Sequence, residues 1–299
     1  MRRLLHIIAI IPFILSACDN EELPGYIDPE NKNANTNCDI YAKRTEVPQL
    51  NNEDIFLSRH TSGATGDTVT YCISHNKERR HSRWVAFRFD SSNRDTDWSR
   101  DSWDALGGEP YRTDPELEDG DVLNNSLIWN NGAQRYQRGH LLASFDRVYS
   151  KDANAQTFYF SNISPMLGAF NTSGPWSKLE SAINKRKSGW GRNPEFADTL
   201  YVVKGGTIAE GYYDTKGRCP TVPKYYFVAL LKVKDGIYHA AAFLLEHKGI
   251  FKEDEDEYSE CALTIDELEE FTGIDFFCNL NDKLENAVER SLNKRAWNM

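Results

Sequence analysis

One stretch, residues 136–180, constrains this chain more than any other. It runs Tyr136-Gln137-Arg138-Gly139-His140-Leu141-Leu142-Ala143-Ser144-Phe145-Asp146-Arg147, then Thr157-Phe158-Tyr159-Phe160-Ser161-Asn162-Ile163-Ser164-Pro165. It closes with Phe170-Asn171 and Trp176-Ser177-Lys178-Leu179-Glu180. Gly139 permits a tight backbone turn beside a charged ligand, with Arg138 before it and His140 after it. Residues 157–163 are aromatic and β-prone, which predicts a strand. Pro175 suits the first turn of a helix, with Thr172 or Ser173 as its cap. Trp176, Leu179 and Ile183 then share one helical face. The expected unit is a strand, a His-bearing turn, a second strand, and a helix with Asn171 at its mouth and Glu180 one face further on.

Taken in that order, these residues resemble the DNA/RNA non-specific endonucleases of the ββα-metal type. Their signature is D-R-G-H, a strand ending S-N-I-x-P-Q, and a helix opening N…W…LE. The general pattern extends over residues 71–297 and is sharp over residues 136–180. The resemblance implies an α+β fold with a central, mostly antiparallel sheet flanked by helices. It implies hydrolysis of the phosphodiester bonds of DNA and RNA with Mg2+ as cofactor and Mn2+ as a substitute. His140 is then the general base, since imidazole titrates near neutral pH. Asn171 holds the metal through its amide oxygen; Mg2+ keeps several waters and needs few protein ligands. Arg138 and an upstream arginine neutralise phosphate oxygens. Arg100, with Trp103 and Asp114-Pro115 after it, is the preferred match for that arginine, while Arg94 and Arg112 stay open. Glu180 orients a water around the metal, and Asn162 fixes the backbone or His140.

The chain departs from the family pattern in three places. Gln137 stands where the family usually has Asp, so the charge that tunes the metal's surroundings is missing. Met166 stands where a Gln often follows Ser-x-Pro. One extra residue lies between Asn171 and Trp176.

Ahead of this unit, residues 1–17 carry Arg2 and Arg3 and then an apolar run over residues 4–15. That run is short for a membrane span and is expected to be a signal peptide. It ends Leu15-Ser16-Ala17-Cys18, which looks like a bacterial lipobox, so Cys18 is the expected lipidation site and the protein an exported, membrane-anchored lipoprotein. Residues 18–37 are polar and Pro-containing, with too little apolar surface for a core, and are expected to form a flexible tether. Residues 38–299 are expected to form the catalytic domain.

Five cysteines follow Cys18: Cys38, Cys72, Cys219, Cys261 and Cys278. In an exported protein they favour disulfides, with an odd thiol left over and the pairing undetermined. No C-x-x-C or H-x-x-x-H pair supports zinc. Residues 69–73 and 84–89 are expected to form the first hairpin, with His75 and His81 solvated in the connection between. Residues 199–204, 225–233 and 237–245 predict strands buried on both faces. Residues 265–271 and 282–297 predict helices. The acidic run at residues 253–257 lacks the central Gly of a calcium loop and reads as solvated.

A net charge of −10 is unexpected for an enzyme acting on a polyanion. Its distribution removes most of the difficulty. Residues 135–192 hold nine Lys/Arg against three Asp/Glu, and residues 250–299 hold five against fourteen. The motif region is basic, and Lys185-Arg186-Lys187 and Lys77, Arg79, Arg80 and Arg83 are further candidates for phosphate contact. Two other classes compete: a lipid-anchored protein that captures nucleic acid without cutting it, and a phosphoesterase for another diester.

Overall fold

The computed structural model describes residues 31–63, 66–122, 136–209, 221–251 and 257–299. The signal peptide, Cys18, most of the tether, Cys219 and residues 253–256 lie outside the described residues.

Among the described residues, seven strands form one antiparallel sheet. In spatial order they are β1 (Ile55–Gly63), β2 (Gly66–Asn76), β3 (His81–Phe89), β6 (Thr199–Gly206), β7 (Tyr225–Lys234), β8 (Ile237–Glu246) and the short β9 (Ala262–Leu263). The strand alternation divides their side chains between two cores. Val85, Phe87 and Phe89 of β3 enter one, and Trp84 and Ala86 enter the other. The apolar run in β7 is buried on both faces because each face is covered. One cover is the helix pair α4 (Ile265–Thr272) and α5 (Asp282–Glu289). The other is the unit built from residues 136–184.

That unit is a hairpin of β4 (Tyr136–His140) and β5 (Ile163–Leu167), followed by α2 (Gly168–Thr172) and α3 (Pro175–Asn184). A short helix, α1 (Lys151–Gln156), lies in the connection. Trp176, Leu179 and Ile183 of α3 are buried on one face against the sheet, as their spacing predicts.

The fold departs from the expectations at several points. The second strand begins at Ile163; residues 157–162 are turns and a 3-10 segment instead. Their β-prone aromatics turn inward, with Phe158 and Phe160 buried, and tertiary packing overrides propensity. Thr172 and Ser173 do not cap α3. Their hydroxyls donate back to the Gly168 and Ala169 carbonyls, and Gly174 takes the cap position without a side-chain bond. His75 and His81 are not solvated. Each is about 1% exposed or less, with His75 against Ser82 and the Asp121 carbonyl and His81 against Ser164 of the site unit. The C-terminal helix stops at Glu289, and a separate 3-10 turn, Lys294–Trp297, brings Trp297 into the core.

The described residues ahead of Cys38 are already packed at Asn31. Asn31 Nδ2 donates to the Cys278 carbonyl at 2.9 Å, and buried Asn35 Nδ2 donates to the Ala42 and Pro48 carbonyls. These amides replace the apolar burial that residues 31–37 lack. No disulfide joins the four described cysteines, Cys38, Cys72, Cys261 and Cys278.

Candidate active site

Between the hairpin, α3 and the 3-10 turn Arg100–Leu106 lies a cleft of about 820 Å3. His140, Arg138, Asn171, Glu180 and Arg100 all line it. The antiparallel register sets His140 opposite Ile163 and Arg138 opposite Pro165, so both side chains project from the same end of the hairpin. His140 therefore ends a strand rather than occupying a turn. Gly139 serves another purpose than the expected tight turn, for its backbone is extended. A Cβ there would lie 2.2 Å from Met166 Sδ, so only Gly lets β4 pass over the buried Met166.

The His140 ring is buried, with Phe158 edge-on at 5.2 Å between centroids. The Arg138 backbone hydrogen-bonds one ring nitrogen, and Nε2 is buried without a partner. The held nitrogen is therefore Nδ1, a donor to the backbone, and Nε2 is left as an acceptor. Burial, with the charges of Arg100 and Lys204, lowers the imidazole pKa to about 3. The ring is neutral at physiological pH.

Asn171 Nδ2 donates to Gln137 Oε1 at 2.8 Å. That bond commits the amide nitrogen and leaves the carbonyl oxygen as the atom offered to the cleft. Glu180 contributes Oε1, buried and without a hydrogen bond, and burial raises its carboxyl to about 7. An amide oxygen and a carboxylate, with open space for water, form a donor set that suits a hard divalent cation such as Mg2+.

Of the three upstream arginines, only Arg100 reaches the cleft. It pairs with Glu109 and lies over the Phe158 ring at 5.4 Å. Arg94 donates to the Gly191 and Ala197 carbonyls, and Arg112 to Tyr159 Oη. Arg138 lies 4.5 Å over the Tyr111 ring. Asn162 is fully buried and does not line the cleft. Its Oδ1 accepts from Leu142 N, and its Nδ2 donates to the Leu142 and Thr157 carbonyls, which clamps the segment after His140. Asn162 is thus a backbone brace and does not touch the reacting groups.

Two residues to which the sequence reading gave no role complete the floor of the site. Lys204 is fully buried on the β6 face that carries Leu200 and Val202. Its Nζ lies 3.3 Å from Asp146 Oδ2 and 3.8 Å from Glu180 Oε1. Asp146 in turn accepts from Ala143 N and Asn184 Nδ2. A lysine at an inward position of a core strand was the available signal. Arg186, named only within a basic run, also lines the cleft. Lys77 and Arg83 instead pair with Asp121 and Asp54.

An antiparallel sheet carrying a hairpin and helix, with His, Asn and Glu around one cleft that three arginines also line, defines a ββα nuclease-type protein. A profile of the DNA/RNA non-specific endonuclease family matches residues 56–283, and the chain belongs to that family. It is a nucleic-acid hydrolase. A nuclease of Nostoc sp. is 26% identical over 267 residues, covering 82% of this chain and 90% of the relative. A nuclease of Serratia marcescens is 25% identical over 243 residues, covering 77% and 82%. The fold is also that of a chain in the solved EndoG/EndoGI complex, with a TM-score of 0.58 at 18% identity over 76% of this chain and 89% of that one.

Proposed function

We propose that this protein is a Mg2+-dependent endonuclease that cuts DNA and RNA without sugar selectivity, with His140 as general base. The observation that carries this reading is the buried, unpartnered Nε2 of His140 in the cleft that Asn171, Glu180, Arg138 and Arg100 share.

The proposed chemistry follows from the side chains. Arg138, Arg100 and Arg186 bind the phosphodiester and neutralise its oxygens. Burial first, and the charges of Arg100 and Lys204 after it, hold His140 at about 3; the phosphate's negative charge offsets the second cause, so the imidazole becomes more basic as substrate enters. Nε2 then takes a proton from the water that attacks phosphorus, and Nδ1 stays fixed on the Arg138 backbone. The bond from phosphorus to the 3′ oxygen breaks, and that oxygen takes a proton from solvent water to leave as a hydroxyl. Asn171 and Glu180 are the residues that would hold Mg2+, or Mn2+ in its place. When bound, the ion supplies positive charge to the phosphate and to the departing oxygen. Phosphate contacts position a strand without reading bases, which fits a non-specific enzyme.

The competing reading is a protein that binds nucleic acid without cutting it, motivated by Gln137. The Gln137–Asn171 hydrogen bond weighs against it, since it keeps the proposed metal ligand oriented. An in-gel assay on DNA and RNA, with and without Mg2+, separates the two. Cleavage by the wild type that needs Mg2+ and is lost in His140→Ala and Asn171→Ala supports the enzyme. Binding with no cleavage under any divalent cation would sink it.

We also propose that the mature protein is anchored to a membrane through a lipid on Cys18. Among the described residues no helix is long and apolar enough to cross a membrane. The support is the basic pair, the apolar run and the Leu15-Ser16-Ala17-Cys18 sequence. Fatty-acid labelling of the wild type that persists in Cys18→Ser would refute this.

A further inference from the structure

On the side of the sheet away from the cleft, α4 and α5 set carboxylates against one another. Asp266 and Glu269 fall one helical turn apart on α4, and Glu285 and Glu289 one turn apart on α5. Oxygens of Asp266, Glu269 and Glu289 all lie within 4.8 Å of one another. The Asn33 amide bridges two further carboxylates, Asp275 in the connection between the helices and Glu285.

Little offsets this concentration of charge. Phe276 N donates to Glu269 Oε1 at 2.7 Å, and Asn33 Nδ2 donates to Glu285 and Asp275. Among the described residues no lysine or arginine forms an ion pair with any of the five. Arg290, next to Glu289, instead donates to Asn286. Glu289 is the extreme case. Only 6% exposed, it has a buried Oε1 with no hydrogen-bond partner, and one oxygen of its carboxyl lies within 4.8 Å of oxygens of Asp266 and Glu269. A second buried acceptor without a donor, Asn33 Oδ1, belongs to the amide that bridges Asp275 and Glu285. A buried carboxylate without a donor or counter-charge is costly, and a bound cation removes that cost.

We propose that Asp266, Glu269 and Glu289 form a site for one structural Ca2+ that clamps α4 to α5. The oxygens grade from buried Glu289 through half-buried Glu269 to exposed Asp266, which leaves a path from solvent and room for water ligands. Three carboxylates plus water meet the six to eight oxygens that Ca2+ takes in flexible geometry, whereas Mg2+ demands a stricter octahedron. Burial and mutual repulsion raise Glu289 to about 9 and Glu269 to about 7, as for groups awaiting a counter-charge.

The test uses thermal melts of the whole mature protein, first in EDTA and then in 5 mM CaCl2 or MgCl2. Wild type is expected to gain about 4 °C or more in CaCl2, as for a ligand well above its dissociation constant acting on a domain of this size. Glu289→Gln is expected to match or exceed wild type in EDTA, since it removes the buried acid, and to lose the calcium shift. Asp266→Asn, at an exposed position, repeats the test should Glu289→Gln fold poorly. Asn171→Ala is expected to keep the full shift, which separates this site from the cleft. No calcium shift in wild type, an equal shift in the two carboxylate variants, or a shift with MgCl2 alone would each overturn the proposal and leave the cluster as protonated acids.

Discussion

Asn171 Nδ2 donates to Gln137 Oε1 at 2.8 Å, so the residue that departs from the family pattern holds the proposed metal ligand. An Asp at position 137 retains an acceptor for that bond and adds a negative charge beside the ion. Gln137→Asp is therefore expected to lower the Mg2+ concentration for half-maximal cleavage and to change the saturated rate little. Gln137→Ala removes the acceptor and frees the Asn171 amide to rotate. A hydrogen bond of about 1 kcal/mol translates to a Mg2+ requirement raised about fivefold. Magnesium titrations of the three proteins decide the matter, and an unchanged requirement in well-folded Gln137→Asp would show that the missing carboxylate is not a metal-affinity defect.

Lys204 is expected to matter for both stability and rate. Its ammonium is enclosed between Asp146 and Glu180 with no access to water. Lys204→Met leaves those carboxylates facing each other without a counter-charge, which typically costs about 3–5 kcal/mol for a buried pair. It also removes the charge that favours ionised Glu180, so its carboxyl, already raised to about 7 by burial, should rise further, and with it the pH needed for half-maximal activity. Adding Asp146→Asn to Lys204→Met should restore part of the stability. Chemical denaturation and a pH-rate profile measure the two effects, and a Lys204→Met protein with an unshifted profile would refute the link to Glu180.

Much of this arrangement was legible in the sequence because it depends on local order. His140, Asn171 and Glu180 sit on consecutive elements of one unit, and Trp176, Leu179 and Ile183 mark the face that docks it. The two-sided burial of β7 was legible in its unbroken apolar run. Lys204 was not, because nothing near it in sequence reveals that β6 passes beneath α3. The start of β5 was missed because the aromatics at 158–160 have strand propensity but find their burial in turns around Asn154 and Asn162. His75 and His81 were placed in solvent because polar neighbours surround them in sequence. In the fold both rings are buried: Ser164 of the site unit meets His81 Nε2 at 2.6 Å, and the Asp121 carbonyl meets His75 Nε2 at 2.8 Å.

Gly139 yields a steric prediction. Gly139→Ala places a methyl group 2.2 Å from Met166 Sδ, beneath the strand that carries His140. Overpacking of this kind costs about 1–3 kcal/mol. It should also tilt β4 and reduce cleavage. Met166→Ala empties the space under the strand, so the double variant Gly139→Ala/Met166→Ala should melt closer to wild type than the sum of the single effects. Strict additivity in melting experiments would rule out the contact as the reason for glycine.

Acid pH should loosen the site unit through histidines that the fold keeps neutral. His247 Nε2 accepts from Leu167 N at 2.8 Å, and its Nδ1 donates to the Pro223 carbonyl. His81 Nδ1 donates to the Ser82 carbonyl while Nε2 meets Ser164 Oγ. Burial lowers both to about 4, against about 6.5 in the unfolded chain. Their stabilising contribution is complete above pH 6.5, where both states are neutral. As pH falls below 6.5 the unfolded chain takes up protons first, and stability is lost progressively until the native rings titrate near pH 4. For His81, almost fully buried, the loss is on the order of 3 kcal/mol. The melting temperature should therefore fall between pH 6.5 and 4. His247→Gln offers Leu167 N an uncharged acceptor, so its decline over that range should be shallower than that of wild type. Melts across the range, in a fixed concentration of salt and EDTA, provide the measurement. An equally steep decline in His247→Gln would assign the acid sensitivity to other groups.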